Sequence, residues 1–208
     1  MNPKIKICGL KQPDNIREVI ALQPDYIGLI FYPGSRRFID QLDADWVMGL
    51  HGTKKTGIFV DAAIHEVKTA IQRYGFQAVQ LHGAEAPAYC ATLADCGVEI
   101  IKAFGINERF DWTIVRGYET IVDYFLFDTQ STQHGGTGKR FDWTLLAGYT
   151  GNTPFFLSGG IGAENIADAL RLDDSRLYAL DLNSRFETAP GVKDIALLRN
   201  TLQTINDE

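Results

Sequence analysis

The stretch Pro154-Phe-Phe-Leu-Ser-Gly-Gly-Ile-Gly-Ala-Glu-Asn165, continued by Ile-Ala-Asp-Ala-Leu-Arg-Leu172, contains one whole structural unit. The apolar run from Pro154 to Ser158 is long enough for a buried strand and too short for a helix. Gly159, Gly160 and Gly162 then mark a turn, and Ala163 to Leu172 has the spacing of an amphipathic helix. Strand, turn and helix in this order predict a βα unit whose second strand lies parallel to the first.

The same order recurs in both directions from this unit. Candidate strands are Ile5 to Leu10, Tyr26 to Tyr32, Thr56 to Val60, Ala78 to His82, Ile100 to Ile106, Tyr124 to Asp128, Pro154 to Ser158 and Leu177 to Asn183. Amphipathic stretches lie between several of them: Asp14 to Leu22, Ala62 to Tyr74, Glu85 to Cys96 and Ala163 to Leu172, with Asp194 to Ile205 at the end. Eight evenly spaced units without a long insertion predict a closed (β/α)8 TIM barrel, one α/β domain over residues 1–208. An open doubly wound sheet uses the same alternation and is the competing architecture. At about 26 residues per unit the barrel is compact, so some helices must be short, and the helix after Ile106 has the weakest signal.

Composition fits a single globular domain: 45% of the 208 residues are hydrophobic and 22% charged. A formal net charge of -6 argues against a general nucleic-acid surface, which needs clustered Lys and Arg. No apolar stretch is long enough to span a bilayer, and Met1 to Lys4 lead into a strand without an apolar signal region, so a cytoplasmic location is expected. Cys8, Cys90 and Cys96 form no CxxC pair, and His51, His65, His82 and His134 are scattered. Neither a metal nor a cofactor is expected. Nothing in the sequence decides between monomer and homodimer.

In a barrel of this kind the C-terminal strand ends share one rim and build the site. Cys8 ends the first strand and Asp128 the sixth, which brings a thiol and a carboxyl roughly 120 residues apart to one substrate. Gly159 and Gly160 follow the seventh strand, where exposed N–H groups and close backbone approach suit a phosphate. Asn183 and Ser184 at the eighth strand extend that site. Asp181 on the same strand faces the substrate region or serves structure, since its charge would repel a phosphate. Gln80 and His82, two residues apart, point to one side of their strand, either toward substrate or into a core hydrogen-bond network. The loop of Gly135, Gly136, Thr137, Gly138 and Lys139 lacks the spacing of a nucleotide-binding P-loop, and its place after the sixth strand suits a cover over the site. Taken without context, Cys8 is equally a small buried core residue and Asp128 a loop anchor.

Several motifs recur in a specific order: Lys6-Ile-Cys-Gly9; Phe31-Tyr-Pro33 with Ser35 and Arg37; Val79-Gln-Leu-His-Gly83; Phe127-Asp-Thr129; Gly135 to Lys139 with Phe141-Asp-Trp143; Leu157 to Gly160; and Pro190-Gly-Val-Lys-Asp194. Nearly end to end, this resembles the phosphoribosylanthranilate isomerases. The resemblance implies a (β/α)8 barrel and an Amadori rearrangement of N-(5-phosphoribosyl)anthranilate in tryptophan biosynthesis, without a cofactor. It implies Asp128 as general acid on the furanose ring oxygen, Cys8 as the base that takes the C2 proton, and Arg37 as the partner of the anthranilate carboxylate. For those roles the thiol must shed a proton that an ordinary cysteine holds up to about pH 8.5, and the aspartate must keep one ordinarily lost near 3.9. Two positions depart from the family pattern. Lys11 stands where threonine is usual, and Arg185-Phe186 replaces glycine and a small aliphatic residue. Arg185 either strengthens a phosphate site or pairs with Glu187. The alternatives are a non-catalytic sugar-phosphate-binding barrel and an isomerase of a histidine-pathway phosphoribosyl substrate, whose usual aspartate pair Cys8 does not match.

Overall fold

A computed structural model describes residues 2–130 and 142–207. Eight parallel strands close into a barrel in sequence order: β1 Lys4–Cys8, β2 Tyr26–Ile30, β3 Lys54–Phe59, β4 Ala78–Leu81, β5 Glu99–Ile106, β6 Tyr124–Thr129, β7 Phe155–Leu157 and β8 Leu177–Leu182. Closure is made by β1 against β8, with Lys4 opposite Ala179 and Ile7 opposite Leu182. The closed barrel removes the open doubly wound sheet from consideration.

Four of the five expected helices are shorter than their amphipathic patterns suggest, and the last extends to Asp207. The helices are α1 Pro13–Ile20, α2 Ala44–Met48, α3 Ile64–Tyr74, α4 Pro87–Ala91, α5 Ile166–Leu170 and α6 Ile195–Asp207. The helix expected from Glu85 to Cys96 is divided into α4 and a 3-10 turn over Ala94–Cys96. Glu85 is the reason it starts late. Its carboxylate is drawn inward to Lys102 Nζ at 3.0 Å and to the Gly83 N–H at 2.9 Å, and Pro87, which has no N–H to satisfy, opens the helix. After β5, where the helix signal was weakest, the connection contains only a 3-10 turn, Trp112–Gly117; Trp143–Gly148 forms a second one ahead of β7. These turns let 208 residues close eight strands.

Two elements carry no periodic signal and were not expected. The five-residue α2 is started by Asp43, whose carboxylate accepts the Trp46 N–H at 2.8 Å. After β8, the strands β9 Glu187–Ala189 and β10 Val192–Lys193 form an antiparallel hairpin that turns at Gly191, φ +87°.

Two apolar layers hold the barrel. One, between strands and helices, includes Ile7, Ile16, Val67, Leu81, Phe127 and Leu198. The other, Tyr26, Ala78, Ile101, Ala103, Leu126, Phe156 and Ala179, takes alternate residues from successive strands and fills the interior. Phe156 is fully buried among Tyr26, Tyr124 and Tyr178, and its loss to alanine costs about 3–5 kcal/mol by cavity formation. The inner residues nearer the C-terminal rim are polar. Among the described residues no helix is long and apolar enough to cross a membrane.

Candidate active site

Cys8 is the last residue of β1 and 4% exposed. Two residues earlier on the same face, Lys6 is fully buried, and its Nζ lies 2.8 Å from Asp181 Oδ1, directly across the β1–β8 register. Room for the sulfur comes from Gly28 on β2, where a Cβ would stand 3.0 Å from Cys8 Sγ and 2.9 Å from Ile58 Cδ1. Burial pushes the Cys8 thiol above the ordinary range; Lys6 pulls it back, Asp181 opposes that pull, and Lys193 adds to it.

Asp128, near the end of β6, is pushed up to about 6, first by burial. The Thr129 N–H, donating to Oδ1 at 2.8 Å, works against that rise, Asp181 reinforces it, and Lys6 and Ser158 oppose it. Cys8 and Asp128 therefore both respond to the one buried Lys6–Asp181 pair. At pH 7 about a tenth of Asp128 holds its proton, whereas an ordinary aspartate would hold about a thousandth. His82 Nε2 approaches Asp128 Oδ2 at 3.5 Å, and Gln80 Nε2 lies 2.8 Å from His82 Nδ1. With the Gln80 amide donating, Nδ1 is an acceptor and the neutral ring carries its proton on Nε2, aimed at the carboxylate. The expectation that Gln80 and His82 share a side is met by a direct bond between them.

The glycine turn after β7 lies against the acid. A Cβ on Gly159 would stand 2.6 Å from the Thr129 N and 2.9 Å from Asp128 Oδ1, and both Gly159 and Gly160 have positive φ, +87° and +68°. Asn165 shapes the turn by accepting the Gly162 N–H and donating to the Gly160 carbonyl, each at 2.9 Å. Ser158, just past β7, places its Oγ 3.4 Å from Asp181 Oδ2. Asp181 thus has partners on both carboxylate oxygens, which favours the structural alternative over direct contact with substrate.

Arg37 comes from the loop after β2 and is 5% exposed. Its Nε and Nη2 grip Glu187 of β9 at 2.8 and 2.6 Å, a bidentate pair that Nη1 does not join. Lys193 of β10 donates to the same carboxylate at 2.8 Å and to Asn183 Oδ1 at 2.8 Å. Burial works against the charge on Arg37, yet Glu187 holds the guanidinium above its usual value; burial pulls Lys193 below its own. Burial would also raise Glu187, but Arg37 and Lys193 keep it below the usual carboxylate range. Of the two alternatives for Arg185, pairing with Glu187 is ruled out. Arg185 Nη1 bonds Glu164 at 2.7 Å beside the glycine turn, and Glu187 is engaged elsewhere. Lys11 reaches Asp40 at 3.3 Å on the surface.

Sequence reasoning named Cys8, Asp128, Gln80, His82, Gly159, Gly160, Asn183 and Arg37, and all of them stand at or beyond C-terminal strand ends. Ser184 opens a 3-10 turn, Ser184–Phe186, directly after Asn183. It overlooked Lys6, Glu187 and Lys193 as part of the site. The available signal was a lysine inside an apolar strand, and a carboxylate and a lysine six residues apart around Pro190-Gly191. Gly135 and Gly136 lie outside the described residues.

The profile of the N-(5'-phosphoribosyl)anthranilate (PRA) isomerase family matches residues 5–204 of this sequence. The chain belongs to this family. An N-(5'-phosphoribosyl)anthranilate isomerase from Parabacteroides distasonis is 46% identical over 209 residues, covering 97% of this chain and 92% of that protein. The crystal structure of the phosphoribosyl anthranilate isomerase from Thermus thermophilus superposes with a TM-score of 0.84 at 28% identity, covering 98% of both chains. A phosphoribosyl anthranilate isomerase solved in complex with reduced 1-(o-carboxyphenylamino)-1-deoxyribulose 5-phosphate superposes at 0.81 with 27% identity, covering 99% of this chain and 100% of that one. As a PRA isomerase, the chain is an enzyme of tryptophan biosynthesis, and its reaction is the Amadori rearrangement of N-(5'-phosphoribosyl)anthranilate to 1-(2-carboxyphenylamino)-1-deoxyribulose 5-phosphate.

Proposed function

We propose that Asp128 and Cys8 perform this isomerisation as general acid and general base. Asp128 gives its proton to the furanose ring oxygen while the anilino nitrogen lone pair forms the C1–N double bond, so the C1–O bond breaks and a protonated Schiff base remains. The Cys8 thiolate then takes the C2 proton, and the C2–H electron pair becomes the C1–C2 double bond of an enolamine. Loss of the enol proton and gain of one at C1 give the ketone. Each correctly placed acid or base typically contributes about 10²- to 10⁴-fold. The observation that carries the reading is the Asp128 carboxyl, pushed to about 6 on the rim that also holds Cys8.

The rest of the site is assigned around that pair. Gly159, Gly160, Asn183 and Ser184 hold the phosphate, while Gln80 and His82 orient the ribose and Asp128. Arg37 meets the anthranilate carboxylate with the edge its Glu187 pair leaves over. Asp181 acts from below, through Lys6. We place the reaction in the cytoplasm, in keeping with three free cysteines, Cys8, Cys90 and Cys96.

The test is the loss of anthranilate fluorescence when freshly made substrate is mixed with protein. Wild type should turn over, and Cys8→Ala and Asp128→Asn should each lose most of the rate while keeping the wild-type circular dichroism. Near-normal turnover by either variant removes the role assigned to that residue. No turnover by the wild type, with phosphate-competed binding retained, would instead support the non-catalytic barrel.

A further inference from the structure

The charges buried around Cys8 do not cancel. Lys6 and Asp181 form one neutral pair. Arg37 and Lys193, 5% and 2% exposed, share the single carboxylate of Glu187, and the other side-chain partner of Lys193 is the neutral amide of Asn183. Counted over Lys6, Arg37, Lys193 and their carboxylate partners, three cations against two carboxylates leave one positive charge in excess; Asp128, on β6, responds to Lys6 and Asp181 and is not among the groups that act on the sulfur. This cluster lies against the main chain beside Cys8: a Cβ on Gly9, φ +79°, would stand 2.6 Å from Arg37 Cδ and 2.7 Å from Asn183 Oδ1. A buried charge without a partner is costly, so an anion nearby is strongly favoured. Among the described residues, the ionisable group on which both Arg37 and Lys193 act besides Glu187 is the Cys8 sulfur.

We propose that the Arg37–Glu187–Lys193 cluster supplies the uncompensated positive charge against which Cys8 carries its negative charge, with Lys193 as the positioning residue. The groups that act on the sulfur are Lys6 and Asp181 from the barrel interior and Arg37 and Lys193 from the segments after β2 and β8, with Glu187 held between those two cations. The interior pair is neutral in sum, although Lys6 outweighs Asp181 at the sulfur, and the loop cluster adds its excess charge to that pull through Lys193. A second consequence concerns substrate. A carboxylate arriving on Arg37 neutralises the same excess, so the thiolate becomes a stronger base when a C2 proton is within reach.

The proposal deepens the reading of Cys8 as the base, and its test is independent of that reading. Protein labelled with carbon-13 at cysteine Cβ reports ionisation of each thiol by chemical shift, and Cys8→Ser assigns the Cys8 signal. Lys193→Met should move the Cys8 midpoint to higher pH, because the Arg37–Glu187 pair left behind is neutral. Glu187→Gln should move it to lower pH, because two cations then face the sulfur. Lys193→Arg should restore the wild-type midpoint. In Lys193→Met, kcat/KM below the Cys8 midpoint should fall by up to about tenfold for each pH unit that the midpoint moves. Purely structural damage would shift both variants in the same direction. That outcome, or an unmoved midpoint in Lys193→Met, overturns the proposal. Should Lys193→Met not fold, Lys193→Gln and Glu187→Gln carry the comparison. If Cys8→Ala turns over normally, the base assignment fails while the opposite shifts of the Cys8 signal still stand or fall on their own.

Discussion

Lys6 Nζ and Asp181 Oδ1 are 2.8 Å apart across the seam where β1 meets β8, with side chains 0% and 4% exposed, and both the thiol of Cys8 and the carboxyl of Asp128 respond to this one pair. Its removal from one side has a definite sign. Asp181→Asn leaves the Lys6 ammonium unopposed, so both Cys8 and Asp128 ionise at lower pH than in the wild type. Leaving a buried charge unpaired also costs about 3–5 kcal/mol. A urea titration should show the lower midpoint, and the acid limb of kcat/KM should move below its wild-type position. An unmoved limb would mean that the pair is architectural only.

The acid and the base have their ionisations in inverse order. Asp128 loses its proton at about 6 and Cys8 above the ordinary thiol range, so the productive form, protonated Asp128 with ionised Cys8, is a minor one. Below pH 6 its population falls tenfold per unit, because Asp128 is already protonated while the thiolate continues to vanish. Between the two values the gain of one group offsets the loss of the other. The profile of kcat/KM, which reports the free enzyme, should therefore rise to about pH 6, run level, and fall only above the Cys8 midpoint. A maximum confined to a narrow range near pH 7 would contradict this order.

The eight strands and the rim positions of Cys8, Asp128 and Gly159 were legible in the sequence because most strands are short apolar runs, and several of them lead directly into a polar residue or glycine. Partners were less so. Lys6 finds Asp181 175 residues away, and only the register of a closed barrel makes them neighbours. The β9–β10 hairpin consists of strands of three and two residues, too short for any period, so the one signal for Glu187 and Lys193 was the Pro190-Gly191 turn between them, and it did not point to Arg37. The helix expected from Glu85 to Cys96 misled for the converse reason. Its amphipathic pattern was real, but the first residue was claimed by Lys102 inside the protein.

Asp128 should reduce the stability that it trades for activity. Its carboxyl is raised from 3.8 to about 6, which disfavours the buried carboxylate by about 3 kcal/mol. Below pH 3.8 the side chain is neutral in both folded and unfolded chains, and Asp128→Asn should be no more stable than wild type. From there to pH 6 the unfolded chain sheds the proton while the folded one retains it, so wild type loses ground until the penalty is complete above 6. Asp128→Asn should accordingly unfold at higher urea than wild type at pH 8, and the two curves should converge near pH 3.5. Equal midpoints at pH 8 would show that the carboxylate is well solvated in the folded protein.

Gly159 offers a way to separate phosphate binding from proton transfer. Its φ of +87° is strained for any residue with a side chain, and a Cβ there would press to 2.6 Å from the Thr129 N and 2.9 Å from Asp128 Oδ1. The Thr129 N is main chain and cannot swing aside, so Gly159→Ala must displace the turn that Asn165 holds in shape. Both the phosphate position and the Asp128 carboxyl then move. The expected result is KM raised about tenfold or more, weaker competition by inorganic phosphate, and a lower kcat, in keeping with a loss of about 1.4 kcal/mol or more of binding. Arg185→Gln provides the contrast. Its pair with Glu164 joins side chains 43% and 57% exposed beside the same turn, and such surface pairs contribute little. It should leave kcat unchanged and raise KM less than Gly159→Ala does, by an amount that shrinks as salt is added. A larger KM effect from Arg185→Gln than from Gly159→Ala would move the phosphate site outward, from the glycine backbone to the arginine.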